Sequence, residues 1–197
     1  GTLLPDGRVL ATGGATINDV SSFADIGDYQ VNNAAEVFDP RTGQWTVGSS
    51  GSNVGRLYHS TGLLLPDGRV LVAGGGAPGP ETNLNAELFT PDYLVNADGS
   101  PVARPTIDAV STTDLVPGQS LTIEATSATG VSRVTLLKAG AVTHSFNMEQ
   151  RLVELPFQAQ TTGGGATTVA ATVPLNENHV VPGFYLLTVL DANGVPS

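Results

Sequence analysis

The sequence contains no cysteine, so this chain can build neither a disulfide nor a thiolate site by itself. Basic residues are scarce: eight Lys and Arg stand against eighteen Asp and Glu, a formal net charge of −10. A surface of that sign repels phosphate backbones, so no nucleic-acid partner is expected. No uninterrupted run of about 18 apolar residues occurs, and no membrane span is expected. Aromatic residues make up only 6%. A sustained 3.6-residue periodicity is missing as well. Segments 24–31 and 83–88 sit beside glycines or asparagines, and neither reads as a helix. Gly-x-Ser-x-Gly, P-loop and dinucleotide motifs are absent too. Gly74-Gly75-Gly76 follows a strand but opens no helix.

What is present is turn chemistry. The 197 residues include 24 glycines and 13 prolines, in a chain rich in Thr and Val, which points to many short strands. The length suffices for one large or two small domains. An internal repeat organises the first half. Leu4-Pro5-Asp6-Gly7-Arg8-Val9-Leu10-Ala11-Thr12-Gly13-Gly14 returns 61 residues later as Leu65-Pro66-Asp67-Gly68-Arg69-Val70-Leu71-Val72-Ala73-Gly74-Gly75, identical at nine of eleven positions. Ala35-Glu36-Val37-Phe38-Asp39-Pro40 returns as Ala86-Glu87-Leu88-Phe89-Thr90-Pro91. In each copy a strand ends at Pro-Asp-Gly, a tight turn whose glycine supplies the positive φ. The next strand runs into a Gly-Gly pair, where another segment must pass closely. The Ala-Glu-Val/Leu-Phe stretch is a third strand, and Gln44-Trp45-Thr46 is a fourth in the first copy. Such a four-stranded unit resembles a kelch repeat, one blade of a β-propeller. Two blades alone close no ring, and both chain ends read as cut inside strands, so a longer protein is expected.

From residue 105 the pattern changes to short strands punctuated by Pro117-Gly118, Gly163-Gly164-Gly165 and Pro182-Gly183. Segments 121–125, 133–137, 141–146, 152–157, 168–173 and 183–190 read as strands of an immunoglobulin-like sandwich. The expected fold is therefore all-β: a partial kelch propeller of two blades over 1–104, then an Ig-like (E-set) sandwich over 105–197 lacking its last strand.

The chain has three histidines, His59, His144 and His179. Histidine is the commonest transition-metal ligand. His59 follows Tyr58 directly, and neighbours on a regular strand face opposite ways. Both reach one metal only if the backbone leaves strand geometry at a bulge or loop, a feature that gathers near active sites. His144 lies 85 residues beyond His59, and spacing alone does not bring them together. His179 sits in a polar loop and reads as a surface residue. Asp6 and Asp67 read as turn formers, with Arg8 and Arg69 either paired to Glu36 and Glu87 or solvated. Asp19, Asp25 and Asp28 lie in one loop without an EF-hand pattern, a weak calcium candidate. Trp45 reads as packing rather than sugar stacking.

The segment Arg56-Leu57-Tyr58-His59-Ser60 followed by Leu64-Leu65-Pro66-Asp67-Gly68-Arg69-Val70 resembles the last-blade motif of the galactose oxidases and glyoxal oxidases, the copper radical oxidases. Glu87 to Leu94, Thr143 to Arg151, Pro182 to Tyr185 and Asn193 to Ser197 continue the resemblance. It implies copper (Cu2+) held by Tyr58 as axial ligand and likewise by His59 and His144, with Tyr58 accepting the substrate proton. In that family a hairpin of the C-terminal domain runs up the propeller axis. The Cys-Tyr thioether radical of that family would come from upstream blades only, so this chain alone is expected to be inactive. The implied function is oxidation of a primary alcohol or aldehyde with reduction of O2 to H2O2. The alternative is a non-catalytic kelch plus Ig-like module binding carbohydrate or protein. Implied partners are a small alcohol, aldehyde or carbohydrate substrate, O2, and the protein's own upstream blades. The resemblance further implies secretion.

Overall fold

The computed structural model describes residues 1–17, 29–48, 51–76, 82–144 and 146–197. The fold is all-β. Among the described residues the only helical turns are two short 3-10 turns, Asp92–Leu94 and Gly163–Gly165. Asp19, Asp25 and Asp28 lie outside the described residues. The chain separates into two compact units. The first holds Gly1–Pro91 and Gly140–Gln150, the second Asp92–Ala139 and Arg151–Ser197.

In the first unit, β1 (Thr2–Leu3) and β2 (Val9–Thr12) form a hairpin, followed by a small pair, β3 (Ala15–Ile17) and β4 (Tyr29–Val31). Then β5 (Ala35–Asp39) and β6 (Gln44–Val47) complete a sheet ordered β1-β2-β5-β6. The second copy gives β7 (Thr61–Leu64), β8 (Val70–Ala73) and β9 (Ala86–Phe89), ordered β7-β8-β9. Every strand pair in both sheets is antiparallel. They are open: no sheet among the described residues closes on itself. Leu4, Leu10, Ala35 and Val37 are buried in the first copy, and Leu64, Val70 and Val72 in the second.

The Pro-Asp-Gly turns do what their residue types require. The Gly7 and Gly68 amides donate to the Leu4 and Leu65 carbonyls, with φ of 91° and 83°. Asp6 and Asp67 accept from the amides of Arg8 and Arg69, each at 3.0 Å. The arginine side chains reach back as well: Arg8 lies 2.6 Å from Asp6 and Arg69 2.6 Å from Asp67. Both arginines thus pair with the aspartate two residues before them, a partner that neither open reading, a glutamate or solvent, had named. A carboxylate two residues away needs no chain closure, and Glu87 is held by Arg56 instead.

The second unit is a two-sheet sandwich. It opens with β10 (Thr106–Val110), β11 (Ser120–Thr126) and β12 (Val131–Lys138). After β12 comes a hairpin, β13 (Ala141–Thr143) and β14 (Phe146–Met148), that belongs to the first unit. The sandwich resumes with β15 (Leu152–Glu154), β16 (Phe157–Thr161), β17 (Ala166–Thr172) and β18 (Tyr185–Asp191). The sheets are β10-β11-β17-β16 and β15-β12-β18. Strict in–out alternation along β11 and β17 buries Leu121, Ile123, Ala125, Val169 and Ala171 against Val134, Leu136, Val153 and Val189. The stretch 152–157, read as one strand, is two: Pro156 falls between them, and the chain passes from one sheet to the other there. Tyr185 donates its hydroxyl to the Val181 carbonyl at 2.7 Å, four residues upstream, in the manner of a tyrosine corner.

Candidate functional site

The site begins with Arg56, the largest side chain of the described residues to be fully buried, at 1% exposure. Its guanidinium donates to the Gly74 carbonyl at 3.0 Å and to the Asn85 carbonyl and Oδ1, both at 3.1 Å. Nη2 and Nε meet one Glu87 oxygen at 2.6 and 3.2 Å. Glu87 also accepts from the Asn53 amide and side chain at 2.9 and 2.7 Å, and from the Ser52 hydroxyl. Burial pushes the Glu87 carboxyl up, but the hydrogen bonds from Ser52, Asn53 and Arg56 outweigh it and lower it to about 2.

Beyond Arg56 the backbone leaves strand geometry, as one shared target for Tyr58 and His59 demands. The Ser60 amide donates to the Leu57 carbonyl at 2.9 Å, closing a turn in which His59 has φ 67°. The Gly-Gly pairs of both copies seat this segment. The Gly14 amide donates to the Arg56 carbonyl at 2.8 Å, and a Cβ at Gly13 would stand 2.3 Å from that oxygen. The Gly76 amide donates to the Tyr58 carbonyl at 2.7 Å. A Cβ at Gly75 would stand 3.0 Å from the Leu57 amide nitrogen and from the Ser60 Cβ. Both pairs therefore exist for close backbone passage.

His144 arrives on the β13–β14 hairpin. Segment 141–146 was expected to be one strand, and this is corrected: Thr143 pairs with Phe146, so the chain reverses between them and His144 follows β13 with φ 50°. The Asn147 side chain donates to the Gly62 carbonyl of β7 at 2.9 Å. Gln150 accepts from the Leu3 amide at 2.6 Å and donates to the Gly1 and Asn147 carbonyls at 3.1 and 2.9 Å. Thr143 Oγ1 and His144 Nδ1 share a hydrogen bond at 2.6 Å.

The three rings meet. Tyr58 and His59 have centroids 3.8 Å apart, His59 and His144 5.0 Å, and Tyr58 and His144 6.4 Å. All three side chains are exposed, Tyr58 at 52%. The other candidates are not part of this cluster. His179 is exposed, and its carbonyl accepts from Arg151 at 3.3 Å. Trp45 stands on β6 with its ring 5.0 Å from Phe38, yet it is 58% exposed. Arg56, Asn147 and Gln150 hold the site, and sequence reasoning gave them no role. The one available signal was an arginine placed between two Gly-Gly repeats.

The expectation that this chain is itself a copper-containing, metal-binding protein is corrected. Among the described residues no three His, Cys, Asp or Glu side chains gather where they would hold a metal ion. The sequence offers no cysteine to complete such a set. Two imidazoles and one phenol, all open to solvent, do not make a closed ligand set by themselves.

Comparison with known proteins gives this geometry a lineage. The model for the galactose oxidase-like, Early set domain matches residues 104–197. Galactose oxidase of Gibberella zeae is 34% identical over 99% of this chain. The chain is linked at family level to the galactose oxidases. An Aldehyde oxidase GLOX of Vitis pseudoreticulata is 35% identical over 73% of the chain. A solved structure described as a novel fungal alcohol oxidase of the AA5 family, in complex with copper, aligns at a TM-score of 0.80 with 32% identity, covering 98% of this chain. The chain spans 27% of the Gibberella galactose oxidase, 29% of the Vitis protein and 39% of the solved alcohol oxidase. The galactose oxidase-like link extends beyond the sandwich to the repeat sheets, since the first of these alignments runs over nearly the whole chain. Among the described residues no helix is long and apolar enough to cross a membrane.

Proposed function

We propose that this chain is a non-catalytic binding portion of an extracellular galactose oxidase-like protein. Residues 1–104 would be two kelch blades of a larger propeller and 105–197 the Ig-like domain. The ligand is a carbohydrate or a protein loop, met by the open face of Tyr58, His59 and His144. One observation carries this reading: a phenol and two imidazoles converge, yet stay exposed and complete no metal-holding group. Ring faces suit the apolar face of a sugar, and imidazole nitrogens suit its hydroxyls. D-galactose, taken from the names of the relatives, is the first probe. Titrated into the 197-residue chain, it is expected to shift the Tyr58, His59 and His144 ring resonances with an affinity on the order of 1 mM. Shifts scattered elsewhere, or none, would sink the reading.

A second reading concerns the full-length protein rather than this chain, and the convergence of the three rings favours it. There Tyr58, His59 and His144 would be part of the family's copper site, Tyr58 also accepting the proton of a primary alcohol or aldehyde, with O2 as oxidant. The missing donors and the Cys-Tyr radical would come from residues outside this chain. Its test is the Cu(II) EPR spectrum of the full-length protein, which His144→Ala must change.

A further inference from the structure

Arg56 hydrogen-bonds through its guanidinium to Gly74, Asn85 and Glu87 rather than to either ring of the Tyr58–His59 pair, and it does so two residues before Tyr58. Its carbonyl is held by Gly14 of the first copy. Its guanidinium is held by Gly74, Asn85 and Glu87 of the second. A buried guanidinium needs a carboxylate and satisfied donors, and both are present. Glu87 is in turn fixed by Asn53 and Ser52, three and four residues before Arg56. The segment 52–56 is thus clamped at both ends immediately before the turn. The turn itself is strained, with His59 at φ 67°, a conformation a non-glycine residue holds only when its surroundings over-determine it.

We infer that Arg56, through Glu87, is a positioning residue that sets the Tyr58–His59 turn and so places both rings toward His144. The inference rests on the reading of that cluster as the functional site. A planar fork is required, because one side chain must address Gly74, Asn85 and Glu87 together; lysine offers the charge without the fork.

The test uses ring-proton NMR on the full 197-residue chain. The wild type is expected to show a cross-relaxation peak between the Tyr58 and His59 rings, whose centroids are 3.8 Å apart. Arg56→Lys and Glu87→Gln are expected to keep the dispersed β-sheet amides but lose this peak. Leu10→Ala, a cavity on β2 of the first sheet opposite Thr2 and Val37, is expected to lower stability comparably and keep it. A peak unchanged in Arg56→Lys, or lost equally in Leu10→Ala, overturns the positioning role. Collapse of the whole fold in both Arg56→Lys and Glu87→Gln also overturns it, since the pair then serves stability at large. Galactose titration of His144→Ala decides the functional reading separately. If that variant responds like the wild type, the binding site is wrong while the ring-to-ring result still stands.

Discussion

His59 and His144 share a backbone conformation that side chains with a Cβ rarely adopt, φ 67° and 50°. The penalty is about 1–2 kcal/mol per residue, and asparagine bears it more readily because its short side chain can hydrogen-bond locally. His59→Asn is therefore expected to raise the unfolding free energy by about 1 kcal/mol while removing the ring, measured by urea denaturation. A neutral or negative change would mean that the turn stores no strain. Glu87 gives a second residue-scale prediction. Its carboxyl is lowered from an ordinary 4.5 to about 2, so the folded state binds that proton more weakly than the unfolded chain. Its contribution is complete above pH 4.5 and is lost as pH falls toward about 2. Glu87→Gln is expected to cost about 3 kcal/mol at neutral pH, because a buried guanidinium loses its counter-charge. The gap to wild type should narrow on acidification through that window; a gap independent of pH there would refute the assignment. At this scale the sequence showed which rings mattered but not what held them. Arg56 looks like any surface arginine until its depth is known.

Elements were more readable. The Pro-Asp-Gly turns, the Gly-Gly seats and the alternation along β11 and β17 follow from turn chemistry and the two-residue strand period, both local properties. The β13–β14 reversal was hidden because Thr143-His144-Ser145-Phe146 contains neither Gly, Asn nor Asp, so nothing in it announces a turn. Likewise, Arg8 and Arg69 stood open between a glutamate partner and solvent, because strand-pairing arguments do not weigh a carboxylate two residues away. Two element-scale substitutions test the packing. Gly13→Ala places a methyl 2.3 Å from the Arg56 carbonyl oxygen at φ 76°. It is expected to cost about 2–4 kcal/mol, combining left-handed strain with overpacking. Tyr185→Phe removes one hydrogen bond to Val181 and is expected to cost about 1 kcal/mol. Equal effects from the two would contradict the close passage at Gly13. Thermal unfolding followed by circular dichroism reads both.

For the whole molecule, charge is the dominant property. With a net charge of −10 and a pI of about 4.4, solubility is expected to reach its minimum near pH 4.4 and recover on either side, followed by light scattering. The all-β class and the family relation were legible from composition, repeat and motifs together. The way His144 joins residues 85 positions earlier was not, because it depends on a hairpin that belongs to the first unit although both neighbouring strands belong to the second. That interleaving has a consequence for how the protein is made. A ribosome adding about 5–20 residues per second needs roughly 4–17 s to travel from His59 to His144. During that interval Tyr58 and His59 wait without their third ring, while β10 to β12 have already been synthesised. The cluster is therefore finished late, by a segment that threads back into older structure.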